Sequence, residues 1–150
     1  MGERRSVQAQ LARGFDQAEL RRIKRLWVRH SIAEDRRDID GLIATLAGDC
    51  VYEIVPTGQR WEGQEGARRF YGELFAAFPD NAFALSEIVV GPQGVFEVAT
   101  LTGTNQGPWA GVPPSGMAIA LEVLIYFPWD SVTARFTGER IWFDRGTITT

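Results

Sequence analysis

The chain has 150 residues, of which 45% are hydrophobic and 23% charged, and its formal net charge is −3 at pH 7. This size and composition indicate one folded domain and exclude a disordered or fibrous chain. The negative charge gives no general attraction to nucleic acid, and no apolar run reaches the length of a membrane span. Because the N-terminus also lacks an apolar core of signal-peptide length, we expect a cytoplasmic protein without nucleic-acid or membrane partners.

The first long helix has a well-marked start. Asp16 can act as its N-cap, and Phe15 and Leu20 are placed to close a hydrophobic staple. Apolar residues then recur at helical spacing as far as His30. We expect residues 1–14, which are rich in Arg, Gln and Ala, to form an extension ahead of this helix.

A short helix, a strand and an amphipathic helix are predicted next. Asp38 or Asp40 opens the short helix, which we expect to end at Gly48. Residues 51–55 are typical of a strand that a Pro-Thr-Gly turn ends. Apolar positions from 67 to 78 then recur at helical spacing.

The second half of the chain is strand-like. Four strands are predicted, over residues 83–90, 95–104, 117–127 and 134–143, with turns at 91–94 and 128–130. The segment 107–116 contains too much Gly and Pro for a regular strand. We therefore predict an α+β fold over residues 15–150, in which helices pack on one face of a strongly curved, mostly antiparallel sheet and enclose a pocket.

Three segments carry a family resemblance. They are Gly63-Gln64-Glu65-Gly66-Ala67 leading through Phe70-Tyr71 to Phe78-Pro79-Asp80, the stretch 102–108 followed by Pro113-Pro114-Ser115-Gly116, and the closing stretch 138–144. In this order and spacing they resemble the SnoaL-like polyketide cyclases of the NTF2-like superfamily. The resemblance covers roughly residues 20 to 147.

The resemblance implies a cone-shaped fold with a deep pocket, a homodimer, and no metal or organic cofactor. It also implies that an aspartate acts as acid and base when a polyketide closes a ring by an aldol reaction. That aspartate corresponds to Asp144. Where the family commonly has a histidine this chain has Asn105, so the proton transfer either proceeds differently or is absent.

Asp144 can be assessed from its own surroundings in the sequence. Residues two apart in a strand share a face, so Arg140, Trp142 and Asp144 project together. If they line the pocket, the neighbouring indole desolvates the Asp144 carboxylate and suits it to acid–base chemistry near neutral pH, although Arg140 opposes this. The alternative is a structural aspartate that pairs with Arg140 or Arg145 at the rim.

Several polar residues are candidates for positioning a ligand. Asn105 can donate its amide to a carbonyl or enolate oxygen, or it can simply stabilise a turn. His30, on the apolar face of the first helix, is a hydrogen-bonded core or pocket-lip residue or a positioning group. Tyr52 can donate to a substrate oxygen, and Glu122 is either a pocket acid or a solvent-facing residue. A single histidine argues against a zinc enzyme.

Three tryptophans, Trp61, Trp109 and Trp142, are suited to the walls of a site for a flat ring, although core or interface packing would use them equally well. We expect a cofactor-independent lyase or isomerase that acts by acid–base chemistry on a hydrophobic carbonyl compound. One alternative is a steroid-isomerase-like or epoxide-hydrolase-like enzyme, the latter with two acids bridged by Arg140. The other is a non-catalytic ligand-binding or assembly domain.

Overall fold

The computed structural model describes residues 6–14 and 16–149, in which three helices, two strands, a fourth helix, four strands and a short last helix follow one another. Within this part of the chain the helices are α1 (Val7–Leu11), α2 (Gln17–Asp35), α3 (Ile39–Ile43), α4 (Gly63–Ala77) and α5 (Gly146–Thr149). The strands are β1 (Leu46–Ile54), β2 (Gln59–Glu62), β3 (Ala82–Gly91), β4 (Gly94–Thr104), β5 (Ala118–Asp130) and β6 (Arg135–Trp142). None of the described helices is long and apolar enough to span a membrane.

The six strands form one curved, unclosed sheet in the order β2-β1-β6-β5-β4-β3. Every neighbouring pair is antiparallel except β1 and β6, which run parallel. Hairpin connections explain the antiparallel pairs from β3 to β6, whereas β1 and β6 come together from opposite ends of the domain. The predicted α+β class and mostly antiparallel sheet are confirmed.

Helix α2 forms where the sequence predicts it. The Asp16 carboxylate accepts a hydrogen bond from the Ala18 N–H at 2.9 Å, which confirms the N-cap. The predicted staple involves Phe15, which lies outside the described residues. The buried face of the helix carries Ile23, Leu26 and His30, one or two turns apart.

Helix α4 and the inner face of the sheet form the rest of the core. The buried face of α4 includes Phe70, Tyr71 and Leu74. Phe70 packs edge-on against Trp61 of β2 and lies at a tilt to Tyr52 of β1, with ring centroids 5.2 Å and 4.8 Å apart. These contacts fix α4 across the β1–β2 end of the sheet.

The structure differs from the predicted elements in three places. Gly48 does not end the short helix but lies within β1, which begins at Leu46. Strand β2 was not predicted, because its four residues alternate too briefly to give a pattern. The segment 128–130 is part of β5 rather than a turn, since Pro128 sits at the last pairing position with β4, where no N–H is needed.

Candidate active site

A narrow cavity lies between the helices and the inner face of the sheet. Its wall is mostly apolar and is formed by Phe70, Leu74, Phe83, Leu101, Trp109, Val123, Ile125 and Ile141, with two carboxyl groups, Glu34 and Glu139, among them. The cavity volume is about 20 Å³, which is room for about one water molecule. Concave apolar surfaces with a few convergent polar groups are the usual form of a ligand site, so this cavity is the candidate active site.

A β-bulge in β6 directs Glu139 into this cavity. Tyr126 pairs with Arg140 and Trp129 pairs with Phe136, so two residues of β5 face three residues of β6. The extra residue changes the side-chain alternation, and both Phe136 and Glu139 point inward despite their odd spacing. Gly138 makes the bulge possible because its φ of 116° is a conformation that other residues rarely adopt.

The Glu139 carboxylate is held by a buried hydrogen-bond network. The Tyr71 hydroxyl donates to Glu139 Oε1 at 2.8 Å, and His30 Nε2 lies 3.1 Å from the same oxygen. The hydroxyls of Tyr52 and Tyr71 are 2.8 Å apart. Only 2% of the surface of His30 and of Glu139 is exposed, so the network is shielded from water. It joins α2, α4, β1 and β6 at one point.

The hydrogen bonds of Thr45 determine which nitrogen of His30 carries a proton. The Thr45 hydroxyl donates to the Leu42 carbonyl at 2.7 Å, so toward His30 it can only accept. His30 Nδ1, which is 2.7 Å from Thr45 Oγ1, is therefore the donor in that pair. This arrangement leaves His30 Nε2 facing Glu139 and Tyr71.

The contacts of Glu139 Oε1 require one more proton between Glu139 and His30. Because Tyr71 donates to Glu139 Oε1, the contact between that oxygen and His30 Nε2 needs a further proton. With that proton on Nε2, His30 is an imidazolium and Glu139 a carboxylate, and every contact in the network is a hydrogen bond. The pair therefore shares one labile proton, which is what acid–base catalysis requires.

Neighbouring carboxyl groups add to the charge of the site. Burial raises the pKa of the Glu34 carboxyl well above its usual value, and the carboxylates of Glu139 and Glu97 raise it further. The pKa of Glu97 is raised to about 7, mainly by burial and then by Glu139, although the hydrogen bond that its side chain accepts from Trp27 opposes the change. These effects shift Glu34 toward its protonated form, in which its carboxyl can donate a hydrogen bond beside Glu139.

Burial also raises the pKa of the two tyrosines well above the usual value, and the Glu139 carboxylate adds to the effect. Both phenols therefore stay protonated and act as hydrogen-bond donors rather than as bases.

A cation could in principle take one ligand atom each from His30, Glu34 and Glu139, since these atoms lie within 4.8 Å of one another. The hydrogen bonds that His30 and Glu139 already make argue against a bound cation. His30 Nε2 is within 3.1 Å of Glu139 Oε1 and 2.9 Å of the Tyr71 hydroxyl, so a cation would have to break both contacts. The arrangement fits a proton better than a metal ion.

Asp144 does not lie in the cavity, contrary to expectation. It follows β6, its side chain is exposed, and its Oδ1 accepts the N–H of Gly146 at 2.9 Å to begin α5. Arg140 and Trp142 do share one face of β6, but it is the outer face of the sheet, and Asp144 lies beyond the end of the strand. Glu139, Ile141 and Phe143 face inward instead.

Asn105 holds the loop that closes the cavity. Its backbone N–H donates to the Met117 carbonyl at 2.9 Å, and its own carbonyl accepts from the Gly116 N–H at 2.8 Å. Its side-chain Nδ2 donates to the Pro113 carbonyl at 3.3 Å. Asn105 is not among the residues that line the cavity, so the geometry matches the turn-stabilising alternative.

The other predicted residues divide between the two faces of the sheet. Arg140 lies on the outer face, 3.4 Å from Glu53 and over the ring of Trp142, and it does not bridge the acids that line the cavity. Glu122 is exposed on the outer face. Trp61 packs in the core. His30 and Tyr52 belong to the Glu139 network, and Trp109 forms part of the cavity wall.

Sequence reasoning missed the two carboxyl groups of the cavity, Glu34 and Glu139. Glu34 lies one helical turn after His30, on the same face of α2, so the i, i+4 spacing could have suggested it. A glycine inside a predicted strand is a signal for a bulge, and Gly138 directly precedes Glu139. Tyr71 was recognised only as an apolar position of the amphipathic helix.

Comparisons with known proteins agree with this architecture. The sequence profile of the SnoaL-like polyketide cyclase family matches residues 20–149. A SnoaL-like polyketide cyclase from Jannaschia sp. CCS1 has a similar structure, with a TM-score of 0.76 and 23% identity over 91% of this chain and 96% of that one. No curated protein matches the sequence.

Two further solved structures share the fold. AclR from Streptomyces galilaeus, described as a hydroxylase, has a TM-score of 0.68 and 19% identity over 86% of this chain and 93% of that one. A protein from Catenulispora acidiphila with a ketosteroid isomerase-like fold, solved with trimethylamine, has a TM-score of 0.68 and 12% identity over 82% of this chain and 88% of that one. At these identities the similarity establishes the fold alone.

Proposed function

Because the chain belongs to the SnoaL-like polyketide cyclase family, we propose that it is an acid–base enzyme that forms an enol or enolate from a hydrophobic carbonyl compound. Glu139 is the base in this proposal, His30 and Tyr71 hold its carboxylate, and Glu34 is the acid. The observation that carries the proposal is the buried Glu139 side chain, which lines the cavity with its Oε1 3.1 Å from His30 Nε2.

The proposed reaction begins with proton transfer from carbon. Glu139 takes a proton from the carbon next to the ligand's carbonyl group, and the electron pair of that C–H bond forms the C=C bond of an enolate. The negative charge moves to the oxygen, where the protonated Glu34 carboxyl stabilises it by donating a hydrogen bond. Return of that proton from Glu139 to a different carbon gives isomerisation, and replacement of the proton on Glu139 by one from solvent before its return to the same carbon gives exchange.

Ring closure uses the same enolate. If the ligand has a second carbonyl group within reach, the enolate carbon attacks it and forms a C–C bond, and the new alkoxide takes the proton that Glu139 had accepted. Cyclase and isomerase activities therefore share their first step. The fold also includes a protein described as a hydroxylase, so the fold by itself does not choose between these reactions.

Exchange of carbon-bound protons with solvent tests the shared first step without knowledge of the natural substrate. We expect the protein to speed the loss of the C1 proton signals of 2-tetralone in deuterated buffer, followed by proton NMR, by at least about tenfold over buffer alone. 2-Tetralone is chosen because it is a flat, apolar ketone with an acidic C–H group. A rate equal to that of the buffer would contradict the proposal and favour a non-catalytic binding domain.

A further inference from the structure

The indole N–H of Trp109 has no hydrogen-bond partner in the part of the chain that the structure describes. Trp109 is only 5% exposed and forms part of the cavity wall. Its ring is stacked on Phe143, with centroids 5.0 Å apart and planes inclined by 14°, and it meets the Phe78 ring edge-on at 5.6 Å. The indole is thus well packed, and only its polar atom is unsatisfied.

An unpaired buried donor is unusual because it has lost water without gaining another partner. Such a group costs about 1–3 kcal/mol, and nearly all buried polar groups in folded proteins are paired. Where one remains on the wall of a cavity, a ligand acceptor is the partner that would remove the cost. The Trp109 N–H therefore indicates a ligand atom that accepts a hydrogen bond.

The rest of the wall limits the chemistry of that ligand. Neither Lys nor Arg is among the described lining residues, so a carboxylate acceptor would be buried beside Glu139 without a counter-ion. An ammonium group would suit the acids but offers no acceptor to an N–H donor. The remaining lining residues are aliphatic and aromatic, which suits a neutral, flat ring system.

We propose that the Trp109 indole N–H donates a hydrogen bond to the carbonyl oxygen of a flat, neutral ring ketone bound in the cavity. The assignment adds Trp109 as a substrate-binding residue of the acid–base enzyme proposed above, and so rests on that function. The proposal requires the carbon next to that carbonyl group to lie against Glu139, which lines the same cavity. As the C–H bond breaks, charge grows on that oxygen, and the same N–H then stabilises the enolate.

The position of Trp109 in a tight turn explains how such a ligand enters a cavity of about 20 Å³. The turn is closed by two hydrogen bonds between the backbones of Trp109 and Val112, at 3.0 Å and 2.8 Å. Its central residues, Ala110 and Gly111, both have positive φ, 52° and 75°. A ring ketone is larger than this cavity, so the proposal includes an outward movement of the turn when the ligand binds.

Binding of 2-naphthol and naphthalene tests the proposal directly. 2-Naphthol is the aromatic counterpart of the enol of 2-tetralone, and naphthalene has the same rings without the oxygen. We expect the wild-type protein to bind 2-naphthol about tenfold more tightly than naphthalene. In W109F, which keeps an aromatic ring but removes the N–H, this preference should fall to about twofold or less. W142F, altered on the outer face of the sheet, should keep the wild-type preference.

The indole N–H signal of Trp109 in the 15N-labelled wild-type protein gives a second measurement that does not depend on the variant's folding. It should move downfield with 2-naphthol and not with naphthalene, while the Trp142 signal stays in place. An unchanged Trp109 signal, equal binding of the two ligands, or an unchanged preference in W109F would overturn the proposal. If exchange of 2-tetralone still occurs in that case, the enzyme function stands without this role for Trp109. If the wild-type protein prefers 2-naphthol to naphthalene but does not exchange the protons of 2-tetralone, the ligand class is supported and the proposed enzyme function is contradicted.

Discussion

E139Q is expected to reduce the exchange of 2-tetralone protons by about three orders of magnitude, the usual contribution of a general base. Glutamine has the same shape and can still accept the hydrogen bond from Tyr71, so the packing around it should persist. What it lacks is the negative charge and the ability to take a proton from carbon. The measurement is the exchange rate by proton NMR, with binding of 2-naphthol checked separately.

D144N is the matched control for E139Q. Asp144 is exposed and caps α5 through its hydrogen bond with Gly146, a contact that the asparagine oxygen can also make. We expect D144N to exchange 2-tetralone at a rate within about twofold of the wild type, since surface changes away from the site have small effects. If D144N were inactive and E139Q active, the base would be Asp144 and the cavity would have another role.

G138A is expected to lower the free energy of unfolding by about 4 kcal/mol. A Cβ atom at position 138 would overlap the backbone carbonyl of Val51 on the adjacent strand, and the φ of 116° is itself strained for alanine. Relief of that overlap would require β6 to separate from β1. Urea denaturation followed by circular dichroism measures the change.

G72A provides the matched control, because Gly72 is exposed in the interior of α4 and a Cβ there meets nothing within 4 Å. Alanine favours the helix at such a position, so G72A should be more stable than the wild type by about 0.5 to 1 kcal/mol. Wild-type stability in G138A would show that the bulge tolerates an ordinary residue. The position of Glu139 would then need another explanation.

The fold could be predicted from the sequence because its signals are local. The Asp16 cap starts α2, helical spacing marks the buried faces of α2 and α4, and turns separate the strands from β3 to β6. The parallel pairing of β1 with β6 is not local, because it joins segments from opposite ends of the domain. No pattern within either strand identifies that partner.

The candidate site was harder to predict because a β-bulge interrupts the alternation of inward and outward side chains along β6. Uniform alternation correctly places Arg140 and Trp142 on one face of β6, but it cannot tell which face is buried. The bulge at Gly138 shifts the alternation by one residue, so that Glu139 points to the same buried face of the sheet as Phe136. His30 was noted as a buried residue, yet its partner Glu139 is 109 residues away in the chain.

The central claim is that the proton between His30 and Glu139 lies on His30 Nε2 and leaves Glu139 as a carboxylate base at the wall of the cavity. The nitrogen-15 NMR signals of the histidine ring test it most directly, because the chain contains a single histidine and the signals need no separate assignment. We predict an imidazolium, protonated on both nitrogens, in the wild-type protein at neutral pH, and a neutral ring protonated on Nδ1 alone in E139Q. A ring that is neutral in both proteins would contradict the claim.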